Sequence, residues 1–191
     1  MRKESIEATI ATLSKSTDFV VEDAHSDHSI SYYYLDSVMG DKQSFHRVIA
    51  YIKTNPHLSI EELHDSLPIE RIETARSADE FSTHIMRGSL LIGTSKVSSP
   101  FLVLPFRKIE SREITVSENE YSVSGPKEGF IEDLDVNINL IRKRIAVPEL
   151  VVDEMTLGSV SKSRLAILYL DGVVNDQLLQ TVRQRLKYLD F

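Results

Sequence analysis

Apolar residues recur at steps of three and four over much of the chain, broken by short runs where β-branched and aromatic residues cluster. The first spacing marks helices with one buried stripe and the second marks strands. A leading amphipathic helix is predicted over 3–14, followed by the strand-like DFVVEDA and SISYYYLD. The helix over 41–54 puts Phe45, Val48, Ile49 and Ile52 on one face and ends at Asn55-Pro56, because a residue before proline avoids helical geometry. Ser59-Ile60-Glu61-Glu62 is a capping box that opens a shorter helix. An irregular stretch leads to a helix near 78–86. SLLIGT and PFLVLPF then read as a hairpin across KVSSP, and ITVSENEYSVS as one or two weaker strands. A strand near 149–157, a stronger one at 164–170 and a closing helix at 175–189 complete the order.

The segment Gly125-Pro126-Lys127-Glu128-Gly129-Phe130, running on to Ile145, opens with helix-start signals. Gly125 serves as N-cap, and Pro126 takes the first helical position, where a missing N–H costs nothing. Glu128 reaches back to the cap and favours the positive end of the helix dipole. The stripe that follows is Phe130, Leu134, Ile138, Ile141 and Ile145, with Ile131 at its edge. Asp133, Asn137 and Arg144 border it on one side and Arg142 on the other. Polar groups beside a buried stripe are placed to hydrogen-bond across a seam. Gly125, Pro126, Lys127, Glu128, Asn137, Arg142 and Arg144 are therefore the expected residues of a joint between subdomains or subunits.

An internal echo runs through this order. YYLDSVMGD, from Tyr33, and LYLDGVVND, from Leu168, share Tyr-Leu-Asp, a valine two residues on and an aspartate five residues after the first. In both, an apolar strand ends in aspartate and an amphipathic helix follows, the second carrying Leu178, Leu179, Val182, Leu186 and Leu189. The expected fold class is α/β, with two small interacting α/β subdomains built of mixed sheets flanked by helices. The first spans 1–122 and the second 123–191. The second copy reaches Phe191 before any hairpin like that at 89–106, so the chain reads as the front part of something longer.

Composition narrows the function classes. The chain has 191 residues, 41% hydrophobic and 27% charged, as globular proteins do. A net charge of −7 argues against nucleic-acid binding through a basic face. With no cysteine there is neither a disulfide framework nor thiolate chemistry. No apolar run approaches the roughly 18–20 residues of a membrane span, and no signal peptide is evident, so the segment reads as soluble.

No catalytic motif emerges. Asp36 and Asp171 stand where strands hand over to helices, an edge at which α/β proteins place active groups, and they are the possible ligand-binding residues; the plainer reading is a turn or cap carboxylate. No glycine-rich phosphate loop and no GxSxG elbow is present, and no cofactor is expected. His25 and His28, with Asp23 and Asp27, match no compact metal set, so surface histidines are expected. Tyr32-Tyr33-Tyr34 reads as strand packing.

GPKEGFIEDLDVNINLIRKRI, then Pro148-Glu149-Leu150, LGSVSKSRLAILYLDGVV and a closing helix, resembles the A subunits of GerA-type spore germination receptors. The pattern there is Gly-Pro-Arg-Glu, an aromatic two residues on, an asparagine in the helix, then Leu-Ile-Arg-x-Arg. The chain matches it at Gly125, Pro126, Glu128, Phe130, Asn137, Leu140, Ile141, Arg142 and Arg144 and departs at Lys127, which keeps the charge but not a bidentate fork. SLLIGTSKVSSPFLVLPF is similar to the family's first hairpin, and the similarity is specific over about 88–174. The resemblance implies a non-enzymatic, soluble N-terminal domain preceding a multi-span membrane domain. It implies B and C receptor subunits as partners in the spore inner membrane, self-association of A subunits, and a position on the spore-core side. The role it implies is assembly and signal transmission during germination. The alternative is direct binding of an amino-acid or sugar germinant in a cleft between the subdomains, near Asp36 and Asp171.

Overall fold

The computed structural model describes residues 5–24, 30–69, 71–94, 100–106 and 129–188. In chain order the elements are α1 (Ile6–Leu13), β1 (Phe19–Asp23), β2 (Ile30–Leu35), a 3-10 turn (Asp36–Val38), α2 (Lys42–Thr54), α3 (Ile60–Ser66), β3 (Glu73–Ala75), α4 (Ala78–Met86), β4 (Ser89–Thr94), β5 (Phe101–Pro105), α5 (Leu134–Arg144), β6 (Leu150–Leu157), β7 (Ser163–Leu170) and α6 (Asp176–Lys187). The weaker strands expected within 114–124, the histidines His25 and His28, and Gly125, Pro126, Lys127 and Glu128 lie outside the described residues.

The helix starts follow their local chemistry. Asp41, Ser59, Ser77 and Asn175 each accept a backbone N–H at the first turn of α2, α3, α4 and α6, and Ser59 with Glu62 makes the full capping box.

Five strands form one sheet in the order β1-β2-β4-β5-β3. Successive strand residues face opposite ways, so a strand covered on both sides must be apolar almost throughout. That is the pattern of β2, β4 and β5, whose inner residues are buried. On one face Tyr32, Leu90, Ile92, Leu102 and Leu104 pack against Phe45, Val48, Ile49 and Ile52 of α2 and Leu63 of α3. On the other, Tyr33, Leu35, Leu91, Phe101 and Val103 meet Leu13 of α1 and Phe81 and Ile85 of α4. The tyrosine run is divided by this alternation. The Tyr33 ring sits edge-on to Phe81 and Phe101, at 5.6 and 5.7 Å, while Tyr34 packs on Phe45 at 4.8 Å.

The second sheet holds β6 and β7, paired from Leu150↔Leu170 to Leu157↔Ser163. Arg164 of β7 reaches Asp135 of α5 on one face of it, and Arg183 of α6 reaches Asp153 of β6 on the other. The fold class is α/β with helices flanking two sheets, as expected. In place of the mixed pairing expected, every pair of strands among the described residues is antiparallel. Only six residues separate β1 from β2 and β4 from β5, and five separate β6 from β7, too few for the crossover that parallel pairing requires. The first sheet draws on residues 19–105 and the second on 150–170, and the boundary expected at 122–123 lies outside the described residues.

The sequence echo has a structural counterpart. A helix, two hairpin strands and a second helix recur as α1-β1-β2-α2 and as α5-β6-β7-α6. The Asp36 N–H donates to the Asp18 carbonyl at 2.9 Å, and the Asp171 N–H donates to the Glu149 carbonyl at 2.8 Å, closing both hairpins alike.

One expectation is corrected within α5. The helix begins at Leu134, not near Pro126, because Asp133 is the cap and accepts the N–H groups of Asp135 and Val136. The Asn137 side chain then grips both the N–H and the carbonyl of Ile131, at 2.9 and 2.7 Å, which holds the approach out of the helix. Phe130 and Ile131 therefore leave the expected stripe and are 72% and 55% exposed; Ile145, at the end of the helix, is 40% exposed. Ile138 remains as its buried apolar centre.

Candidate functional site

The residues that cross between the two sheets centre on Arg142. It lies one turn beyond Ile138 on the inward face of α5, and it is 1% exposed. A buried guanidinium must place its donors on partners, since an unpaired charge in the interior is strongly unfavourable. Here Nε and Nη2 form a fork on the two carboxylate oxygens of Asp18, at 3.0 and 2.7 Å. Nη2 also donates to the Ser16 hydroxyl at 2.8 Å, and Nη1 donates to the Leu150 carbonyl at 2.6 Å.

Asp18 is equally enclosed, 5% exposed, and precedes β1 by one residue. Besides the fork, its carboxylate accepts the hydroxyls of Ser16, at 2.6 Å, and Ser37. Ser16 in turn accepts the Val152 N–H at 2.8 Å. Thr17 completes the contact: its N–H donates to the Val152 carbonyl at 2.8 Å, and its hydroxyl accepts the Glu154 N–H at 3.1 Å. The segment between α1 and β1 thus runs along the outer edge of β6 and joins it to the first sheet. Asn139 of α5 adds a bond from its amide to the Ser37 carbonyl at 2.7 Å. Fully partnered buried networks of this kind fix one geometry, and each member left alone is costly.

Of the expected joint residues, Arg142 reaches across and Asn137 does not; the Asn137 amide is spent on Ile131. Arg144 lies on the exposed side of the helix end. Ser16, Thr17, Asp18, Ser37 and Asn139 carry the crossing as well. Lys15-Ser16-Thr17 reads locally as a loop, and the partner of Arg142 stands 124 positions away.

Asp36 and Asp171 are not brought to one site. Asp36 opens the 3-10 turn and pairs with Lys42 at 3.0 Å, both half-exposed. It borders a cleft of about 510 Å³ between this turn and α5, lined also by Lys42, Arg87, Asp135, Asn139 and Lys143. Arg164 beside Asp135 holds that carboxyl below its ordinary value. Asp171 does not line this cleft and pairs with Lys15 at 2.5 Å, which raises the Lys15 ammonium. Among the described residues no three His, Asp or Glu side chains gather as metal ligands do, and no helix is long and apolar enough to cross a membrane.

Comparison with known proteins adds a lineage to this geometry. Spore germination protein GerQA of Bacillus cereus is 34% identical over 188 residues, covering 97% of this chain and 38% of that protein. Spore germination protein GerIA of Bacillus cereus is 30% identical over 193 residues, covering 100% of this chain and 29% of that protein. The chain therefore spans well under half the length of these relatives. The crystal structure of the N-terminal domain of the A subunit of the Bacillus megaterium spore germinant receptor GerK3 shares the fold, with a TM-score of 0.64 at 19% identity, over 100% of this chain and 75% of that one. The family described as Bacillus/Clostridium GerA spore germination protein matches residues 7–191, and the chain belongs to that family.

Proposed function

We propose that this chain is the N-terminal domain of a spore germinant receptor A subunit and that it works in receptor assembly and signal transmission rather than in catalysis. The observation that carries the reading is the buried joint of Arg142, Asp18, Ser16 and Ser37, which ties α5 and β6 to the first sheet. A joint made of directional bonds has few acceptable geometries, so a force on one sheet is passed to the other as a change of register and not absorbed as drift. The family membership and the fold shared with the N-terminal domain of the GerK3 A subunit support placing the domain in such a receptor. In this reading it operates with B and C subunits at the spore inner membrane, on the spore-core side, with contacts between A subunits. Of the joint residues named from the sequence, Arg142 is the centre of this proposal, Gly125, Pro126, Lys127, Glu128 and Arg144 belong to it as its flanks, and Asn137 supports it by holding the approach to α5.

The test is a charge-neutral removal of the joint. Asp18→Leu with Arg142→Met leaves no unpaired buried charge, so the domain is expected to remain folded. Spores carrying the receptor so altered should then lose receptor assembly or germinate at least about tenfold more slowly. Germination at the parental rate with normal assembly would refute the proposal.

The cleft beside Asp36 and Lys42 favours a second reading, direct capture of a small amino acid or sugar. A saturable rise in melting temperature with such a molecule, lost in Asp36→Ala, would support it. No rise with any of them would exclude it.

A further inference from the structure

Asp171 is followed by glycine, and this pair of residues carries a reaction of its own. In an aspartyl-glycyl sequence the glycine nitrogen can attack the carboxyl carbon of the aspartate side chain, because no Cβ on the second residue crowds the approach. Gly172 is exposed, holds φ +76°, and a Cβ built on it would meet nothing within 4 Å among the described residues. The hydrogen bonds of this turn come from its neighbours. The Asp171 N–H donates to the Glu149 carbonyl at 2.8 Å, and those of Val173 and Val174 donate to the Leu170 carbonyl at 3.2 and 3.1 Å. The Asp171 side chain is 32% exposed, so water reaches it.

The equivalent end of β2 gives the contrast. There Asp36 is followed by Ser37. The Ser37 hydroxyl donates to Asp18, and its carbonyl accepts the Asn139 amide at 2.7 Å, so this residue is held on both sides. Gly172 has no side chain to be held by. What restrains Asp171 is Lys15, whose ammonium donates to the carboxylate at 2.5 Å. Ring closure expels a carboxyl oxygen as water and so proceeds most readily from the neutral acid. An ammonium bound to the carboxylate opposes that step by holding the ionised oxygen in place.

We infer that Asp171 is a site of isomerisation to isoaspartate and that Lys15 slows the reaction. The Gly172 nitrogen bonds to the Asp171 Cγ while the Cγ–OH bond breaks, and the N–H proton leaves with that hydroxyl as water. Water then adds to one carbonyl of the ring. Attack at Cγ restores aspartate; attack at the α-carbonyl breaks its bond to the ring nitrogen and leaves the main chain running through Cγ. No oxidant or cofactor is consumed. The product has one more methylene in the main chain between β7 and α6 and a carboxylate with shorter reach. Isomerisation therefore releases the tie that Lys15 makes from the link between α1 and β1 to the end of β7.

Incubation in heavy-oxygen water at neutral pH, followed by peptide mass spectrometry, tests the inference, because opening of the ring introduces the label. Label and isoaspartate should accumulate at Asp171 at least about threefold faster than at Asp36. Asp171→Glu keeps a negative charge facing Lys15 but would need a larger ring, and should abolish the label at this position. Lys15→Met should raise the rate at Asp171 about two- to fivefold and leave that at Asp36 unchanged. Equal labelling of Asp171 and Asp36 in the parent chain would overturn the inference. So would a Lys15→Met rate equal to the parent's, or a rise shared by both aspartates, which would mark general loosening of the fold.

Discussion

Arg142 sits on a helix face that elsewhere would hold leucine, and four hydrogen bonds justify its place there. Lysine would keep the charge but replace a planar fork with a single ammonium. Arg142→Lys should therefore lower the urea unfolding free energy by about 2–3 kcal/mol, since bonds to charged partners are lost while the Asp18 carboxylate stays buried. Asn137 plays a local part. Asn137→Ala frees Ile131 and should cost about 1 kcal/mol, with faster exchange confined to the residues just ahead of α5. An equal slowing or quickening across the two sheets would contradict that local role. Arg142 was legible in the sequence as a polar residue bordering a buried stripe. Asp18 was not, because nothing in Ser-Thr-Asp-Phe-Val distinguishes a strand-leading aspartate from the anchor of a distant arginine.

At the scale of elements, connections are fixed as strongly as the helices and strands. Gly88 joins α4 to β4 with φ +76°, and a Cβ there would meet the Val38 carbonyl oxygen at 2.5 Å. Gly172 has the same φ but open space around it. Gly88→Ala should thus lower the melting temperature markedly more than Gly172→Ala, because it adds a backbone clash to the conformational strain both share. Equal effects in thermal melts would show that the 3-10 turn yields. The helices α2, α3, α4 and α6 were readable because each has both a cap and a stripe of the right period. β3 was not, since Glu73-Thr74-Ala75 is too short and polar to alternate visibly, and its pairing with β5 is made by tertiary contact. The start of α5 misled for the opposite reason: strong cap signals at Gly125 and Pro126 precede a helix whose operative cap is Asp133. The recurrence of the strand–turn–helix unit was visible in Tyr-Leu-Asp, whereas the antiparallel pairing and the Ser16–Thr17 edge contact depend on residues far apart in the chain.

For the molecule as a whole, several carboxylates tie its stability to acidity. Asp41 is held below its ordinary value by the Ser44 hydroxyl and N–H, Glu62 by the Ser59 N–H, Glu80 by the Arg76 N–H and Asp135 by Arg164. A carboxylate whose folded value is depressed stabilises the fold above its unfolded value, 3.8 for Asp or 4.5 for Glu, and loses that contribution as pH falls through the folded one. The melting temperature should stay level from about pH 7 to about pH 5 and fall below about pH 4; a maximum at acid pH would contradict this. The central claim, that one buried pair holds the second sheet to the first, is tested most directly by a double-mutant cycle on Asp18→Leu and Arg142→Met in urea. Each single change should cost about 3–5 kcal/mol, and the double substantially less than their sum, giving a coupling of about 2–4 kcal/mol. Costs that add within about 0.5 kcal/mol would mean that the two residues do not form the joint.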